Sequence, residues 1–139
     1  MTSSERDAEI VARLRAGYEA FSRGEYDEVF EHIDVDDRFE LHRVGGLGMV
    51  KGREGLREWM EPDAIEDLRV EPREFRVNGD KVFVRAHSRG RGRSSGIEIE
   101  IEALTVWMID DDGIFIRAEN FLPNERNEAL RAAGLEDAG

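Results

Sequence analysis

A chain of 139 residues is long enough for one domain with a real core. Its net charge of −12 repels phosphate backbones and anionic membranes, so neither nucleic acid nor a membrane surface is an expected partner. It contains no cysteine, which excludes disulfides and thiolate metal sites.

The first ten residues, MTSSERDAEI, carry no apolar leader segment. No run approaches the roughly 18 apolar residues of a membrane span, so a cytoplasmic protein is the expectation. From Glu5 to about Arg23, the residues Ile10, Val11, Leu14, Tyr18 and Phe21 recur at three- and four-residue steps and form one apolar helical stripe. Ser3 or Ser4 is the expected cap and Gly24 the expected stop. A second, shorter helix carries Tyr26, Val29, Phe30 and Ile33 on one face. After a turn at Asp34–Asp37, Phe39–His42 reads as a short strand, with Phe39 and Leu41 on one face and Glu40 and His42 on the other. Gly45-Gly46-Leu47-Gly48 reads as a flexible loop. Its spacing does not match a P-loop and no Lys-Ser/Thr pair follows, so phosphate binding is not expected. Gly52 to Met60 forms a third helix with Leu56, Trp59 and Met60 clustered, and Pro62 ends it.

From Leu68 the chain turns to strands. Val70, Phe75 and Val77 lead to Asn78-Gly79, a two-residue hairpin signal, and Lys81 to His87 returns. Arg89 to Gly96, RGRGRSSG, is expected to be a long hairpin loop; one short basic loop in so acidic a chain reads as a solvated turn rather than an RNA site. IEIEIEALTVWMI begins as strict alternation. Ile97, Ile99, Ile101, Ala103, Thr105 and Trp107 share one face, and Glu98, Glu100 and Glu102 share the other, which turns apolar at Leu104, Val106 and Met108. That outer patch calls for a cover, either a neighbouring loop or helix or a second subunit; the pattern leaves both open. A DDDG turn leads to IFIRAENF, and Asn127 to Ala133 forms a short amphipathic helix with Leu130 inward. No repeat or linker interrupts residues 1–139, so a single α+β domain is expected, with helices on one face of a curved sheet.

The segment AFSRGEYDEVFEHIDVDDRFELH resembles the opening of nuclear transport factor 2-like proteins, and more narrowly of the SnoaL-like (polyketide-cyclase-like) group. KGREGLREW, VWMIDDDGIFIRAENF and NEALRAAGL extend the match across most of the chain. The resemblance implies a cone-shaped curved antiparallel sheet, three N-terminal helices closing a pocket, and a short C-terminal helix. It also implies a small apolar ligand and a homodimer, with no cofactor and no metal. It leaves the reaction open, because this fold hosts enzymes, binding proteins and interaction modules.

Two relatives suggest where chemistry would sit. In the ketosteroid isomerases, which resemble the first third, the general base would fall at or near His42 and the oxyanion donors near Gly17 and Thr105, so that set is largely absent here. Tyr18 is one residue from Gly17 and turned about 100° around the helix. In the limonene-epoxide hydrolases, the pocket arginine and its two aspartates would fall near Arg85, His87 and Glu119. The resulting catalytic candidates are His42 or His87 as base, Arg85 as anion stabiliser, and Glu119 or Glu40 as orienting carboxylate, since histidine titrates near neutral pH. Tyr18, Glu40, Trp59, Phe83, Thr105 and Trp107 are the expected pocket lining. Ordinary roles compete for each: a hydrogen-bonded histidine, an Arg85–Glu119 ion pair, aromatics that simply fill a core. Two functions follow from the sequence. One is an acid–base isomerase, cyclase or hydrolase of a small apolar carbonyl or epoxide compound. The other is a non-catalytic ligand carrier or dimeric interaction module.

Overall fold

In the computed structural model, which describes residues 2–44 and 48–135, the first apolar stripe forms α1 (Ser3–Ser22) and buries Ile10, Leu14, Gly17, Ala20 and Phe21. Three residues of the glycine-rich loop, 45–47, lie outside the described residues. Thr2, not Ser3 or Ser4, caps α1: its hydroxyl accepts from the Glu5 backbone N–H at 3.1 Å. Gly24, at φ +79°, follows the helix end. α2 (Tyr26–His32) packs back on α1, and glycine at position 17 is what lets it approach, since a Cβ there would overlap the Ile33 side chain.

The remaining elements are β1 (Glu40–His42), β2 (Met49–Lys51), α3 (Gly52–Trp59), β3 (Ile65–Asn78), β4 (Lys81–Gly92), β5 (Glu98–Ile109), β6 (Phe115–Phe121), a 3₁₀ turn at Pro123–Glu125 and α4 (Arg126–Ala132). The six strands form one curved, unclosed sheet in the order β2-β1-β6-β5-β4-β3. Every neighbouring pair is antiparallel except β1 and β6, which run parallel because the chain crosses from one to the other through most of its length. No described helix is long and apolar enough to cross a membrane.

Two hydrophobic clusters sit on opposite faces of the sheet. The larger, including Leu14, Phe39, Val82, Val84 and Phe115, lies between the sheet and α1–α3. The smaller joins Phe83, Leu104 and Val106 to Ala129, Leu130 and Ala133 of α4. The outer patch of β5 is therefore covered by a helix of the same chain at Leu104 and Val106, while Met108 stays partly exposed. The Asn78 side-chain amide fastens that helix by donating to the carbonyls of Ala133 at 2.9 Å and Gly134 at 3.1 Å. Asn78 itself pairs with Lys81, so the residues that turn the β3–β4 hairpin are Gly79 and Asp80, with Gly79 at φ +62°.

The first half of the segment RGRGRSSG is strand rather than loop. β4 runs on to Gly92 because it is paired on both sides, Gly92 with Ile65 of β3 and Gly90 with Ile99 of β5. Only 93–97 connect the strands. β3 is an edge strand with two register shifts, at Glu66/Arg69 and at Pro72/Glu74, and Asp67 adopts φ +55° in the first. Between them the Ser22 hydroxyl accepts from the Val70 N–H at 2.9 Å and donates to the Val70 carbonyl at 3.1 Å.

Arg13 joins three parts of the chain. Its Nε donates to the His32 carbonyl at the end of α2 at 3.0 Å, and one Nη donates to the Gly113 carbonyl in the β5–β6 turn at 2.8 Å. Its guanidinium lies 5.0 Å from the Phe115 ring centroid.

Candidate ligand cavity

Between α1–α3 and the inner face of the sheet lies a cavity of about 390 Å³. Its walls are overwhelmingly apolar, from Phe21 on α1 to Leu41 on β1, Leu56 on α3 and Val70 on β3. Trp59, Ile101 and Leu122 also line it and are 40, 45 and 40% exposed, which identifies them as its mouth. The strand alternation sets which residues reach it. On β5 these are Ile101, Ala103, Thr105 and Trp107, the face that begins with Ile97 and Ile99, joined towards the start of the strand by Glu102 and Leu104 of the other face.

The far end from the mouth is polar but uncharged. The Trp107 indole N–H donates to the Tyr18 hydroxyl at 3.0 Å, and the two rings meet edge to face with centroids 6.4 Å apart. Thr105 donates to the Asn120 side-chain carbonyl at 2.8 Å, across a β5–β6 register pair. Ser88 is a third hydroxyl on the lining. Although part of Tyr18 opens on the cavity, burial pushes its hydroxyl up from the usual 10 to about 12, against smaller opposing effects of hydrogen bonds with Trp107 and Thr105. The phenol is thus a neutral donor at physiological pH.

That shift has a measurable consequence. Below pH 10 both folded and unfolded states hold the Tyr18 proton, so stability is unaffected there. Between pH 10 and about 12 the unfolded state releases it first, and stability falls by on the order of 1 kcal/mol per pH unit. Urea unfolding at several alkaline pH values should show a steeper loss for the wild type than for Tyr18→Phe. Parallel slopes would show that the phenol is not buried.

The sequence-predicted residues separate into two groups. Tyr18, Trp59, Thr105 and Trp107 line the cavity; Glu40 and Phe83 do not, and Phe83 packs beneath α4 instead. None of His42, Arg85, His87 and Glu119 is on the lining, whose places fall to their strand neighbours Leu41, Ala86, Ser88 and Asn120. The His42 Nε2 lies 3.0 Å from Glu40, and the His87 Nε2 lies 2.6 Å from Glu100. Arg85 donates to Glu74 at 3.1 Å and stands 3.8 Å from Glu102, not beside Glu119, which is 3.5 Å from Arg117. His42 and Glu119 are register partners on β1 and β6, and Arg85 and His87 sit two strands away on β4, so the four are not gathered around one point. His32 stands with Glu28 and Glu31 on α2, and Arg23 pairs with Glu28.

Sequence reasoning passed over Asn120, Ser88 and Arg43, all on the lining. For two of them a signal existed: Asn120 has the parity of buried Ala118, and Ser88 that of buried Val84 and Ala86.

Comparison with known proteins agrees with this architecture. No curated protein sequence matches the chain. An NTF2-like protein of unknown function from Burkholderia pseudomallei superposes with a TM-score of 0.71 at 20% identity, covering 88% of this chain and 95% of that one. TerC, crystallised with polyporic acid, gives 0.70 at 20% identity over 88% and 97% of the two chains. The epoxide hydrolase/cyclase-like enzyme SalBIII, of pyran ring formation in the polyether salinomycin, gives 0.70 at 19% identity over 87% and 93%. At such identities the likeness concerns the fold. The model of the SnoaL-like domain matches residues 14–117, well over half of the sequence, and the chain therefore belongs to the SnoaL-like family.

Proposed function

We propose that this SnoaL-like protein binds a small, largely apolar, uncharged molecule, which enters between Trp59, Ile101 and Leu122 and rests against Tyr18, Thr105 and Trp107. The observation that carries this reading is the cavity itself: about 390 Å³, apolar along its walls, with only uncharged polar groups at its far end. That volume falls in the range of small-ligand sites. A charged ligand end would lose its hydration there without a counter-ion, because the two charged residues of the lining, Arg43 and Glu102, are both exposed.

The same lining favours a carrier over an acid–base enzyme. Among the described residues it includes no histidine, no aspartate and no lysine. Its one carboxylate, Glu102, is exposed and lies 3.8 Å from Arg85. Tyr18 keeps its proton up to about pH 12 and is no base at neutral pH.

A thermal-shift panel of lipophilic ketones, lactones, epoxides and fatty acids tests the proposal, each neutral ligand raising stability by about 2.7 kcal/mol at a hundredfold excess over its dissociation constant. Ala103→Phe, which projects a ring from the lining into the void, should abolish those shifts with the fold retained. Silence across the panel, or shifts that survive the filled cavity, would refute it. So would fatty acids outperforming their own methyl esters.

A further inference from the structure

We infer that the far end of the cavity is a hydrogen-bond donor site, and that Asn120 selects ligands carrying an exposed acceptor oxygen, a carbonyl above all. The inference rests on the binding reading above and names the ligand feature that the site would recognise.

The argument follows the protons. An indole N–H can only donate, so the Trp107–Tyr18 bond has one direction, and the Tyr18 oxygen is its acceptor. The phenol's own proton is thereby left free for another acceptor. Thr105 has a single hydroxyl proton and spends it on the Asn120 Oδ1 at 2.8 Å. With its carbonyl held by Thr105, the Asn120 amide is fixed in one orientation and its Nδ2 is turned away from that bond.

This Nδ2, with two N–H donors, has no protein acceptor among the described residues. No buried side-chain nitrogen or oxygen of the described residues lacks a partner, so an unpartnered Nδ2 must reach accessible space. Asn120 lines the cavity, and the cavity is the space beside it. The group offered to a ligand is therefore a donor without a competing acceptor. Ser88 is too distant to assist: it pairs with Ile101, four residues along β5 from Thr105, roughly 13 Å away at strand rise.

A ligand carbonyl satisfies both needs at once. Its oxygen has lone pairs for the amide, and its hydrocarbon body suits the walls. A hydrocarbon of the same shape fills the cavity but strips water from the amide and gives nothing back, which is the usual origin of discrimination by a buried polar group.

The test uses 2-decalone, with a ¹³C-labelled carbonyl, and decalin, its carbonyl-free counterpart, on the full chain. Wild type should bind decalone about threefold to tenfold more tightly than decalin, the range expected of one net hydrogen bond. Isotope-edited infrared spectra should show the carbonyl stretch moving to lower frequency on binding than in hydrocarbon solvent. Asn120→Leu should bring the two affinities together, raising that for decalin and lowering that for decalone, and should remove the frequency change. Thr105→Val, which keeps the shape but frees the amide to rotate, should reduce the preference, and it serves if the first variant fails to fold. Equal affinities in the wild type, with decalin bound, would overturn the donor site and leave the binding reading standing. A frequency change that persists in Asn120→Leu would also overturn it. Failure of both compounds to bind would overturn both proposals together.

Discussion

Trp107→Ala is expected to destabilise the protein by about 3–5 kcal/mol, the largest single-residue effect in the chain. Trp107 is 6% exposed and packs against three other rings. The Phe115 centroid lies 5.6 Å away at an interplanar angle of 75°, and Phe39 lies 6.2 Å away. Tyr18 is the third, held through its hydroxyl. Because these rings come from α1, from the segment before β1, and from β6, truncation opens a void that no single element can move to fill. A loss of this size approaches the whole stability of an ordinary domain. Trp107→Phe separates the contributions: it keeps an aromatic ring in place and removes the indole N–H, so about 1 kcal/mol of the total should remain as its cost. Urea unfolding of the two variants decides the matter. A cost below about 1.5 kcal/mol for the alanine variant would mean that the ring cluster is not the centre of the core.

Arg13→Met should cost about 2–4 kcal/mol through a different route. Methionine replaces the aliphatic stem, so the loss falls on the two charge-assisted hydrogen bonds to His32 and Gly113 and on the contact with Phe115. Both carbonyls are left short of a donor in a half-buried place. Arg13→Lys should recover little, since a single ammonium cannot serve two carbonyls held by the two ends of a guanidinium fork. The effect should also survive high salt, because the partners are backbone dipoles rather than exposed ions. Full rescue by lysine, or collapse of the difference in salt, would assign Arg13 an ordinary surface role.

What could be read in advance divides along physical lines. The alternation of β5 told which of its side chains share a face, because period two is a local property. Which face looks inward is not local. On β4 both faces begin apolar, Val82 and Val84 on one side and Phe83 on the other, and only the docking of α4 on Phe83 decides between them. Positions carried over from relatives by approximate alignment then land beside the cavity rather than in it, since a step of one residue reverses a strand side chain. Arg85, His87 and Glu119 stand one residue from Ala86, Ser88 and Asn120 in just this way. β2 escaped notice because three residues after a glycine run hold no periodicity, although it pairs with β1, the strand just before it in the chain. The arginine-glycine stretch looked like loop because its composition disfavours strands, a weak preference that pairing on both sides overrides.

The open sheet leaves β3, fourteen residues long, at its border. A border of that length, if flat and regular, is a template on which other chains add strands and aggregate. Here the template is spoiled. Pro72 offers no N–H, the register slips twice, and Asp67 bends the backbone out of line. Between those breaks Ser22 occupies the free N–H and carbonyl of Val70, so an incoming strand cannot pair there. The same irregularities thus keep neighbouring molecules from polymerising through this border at high concentration.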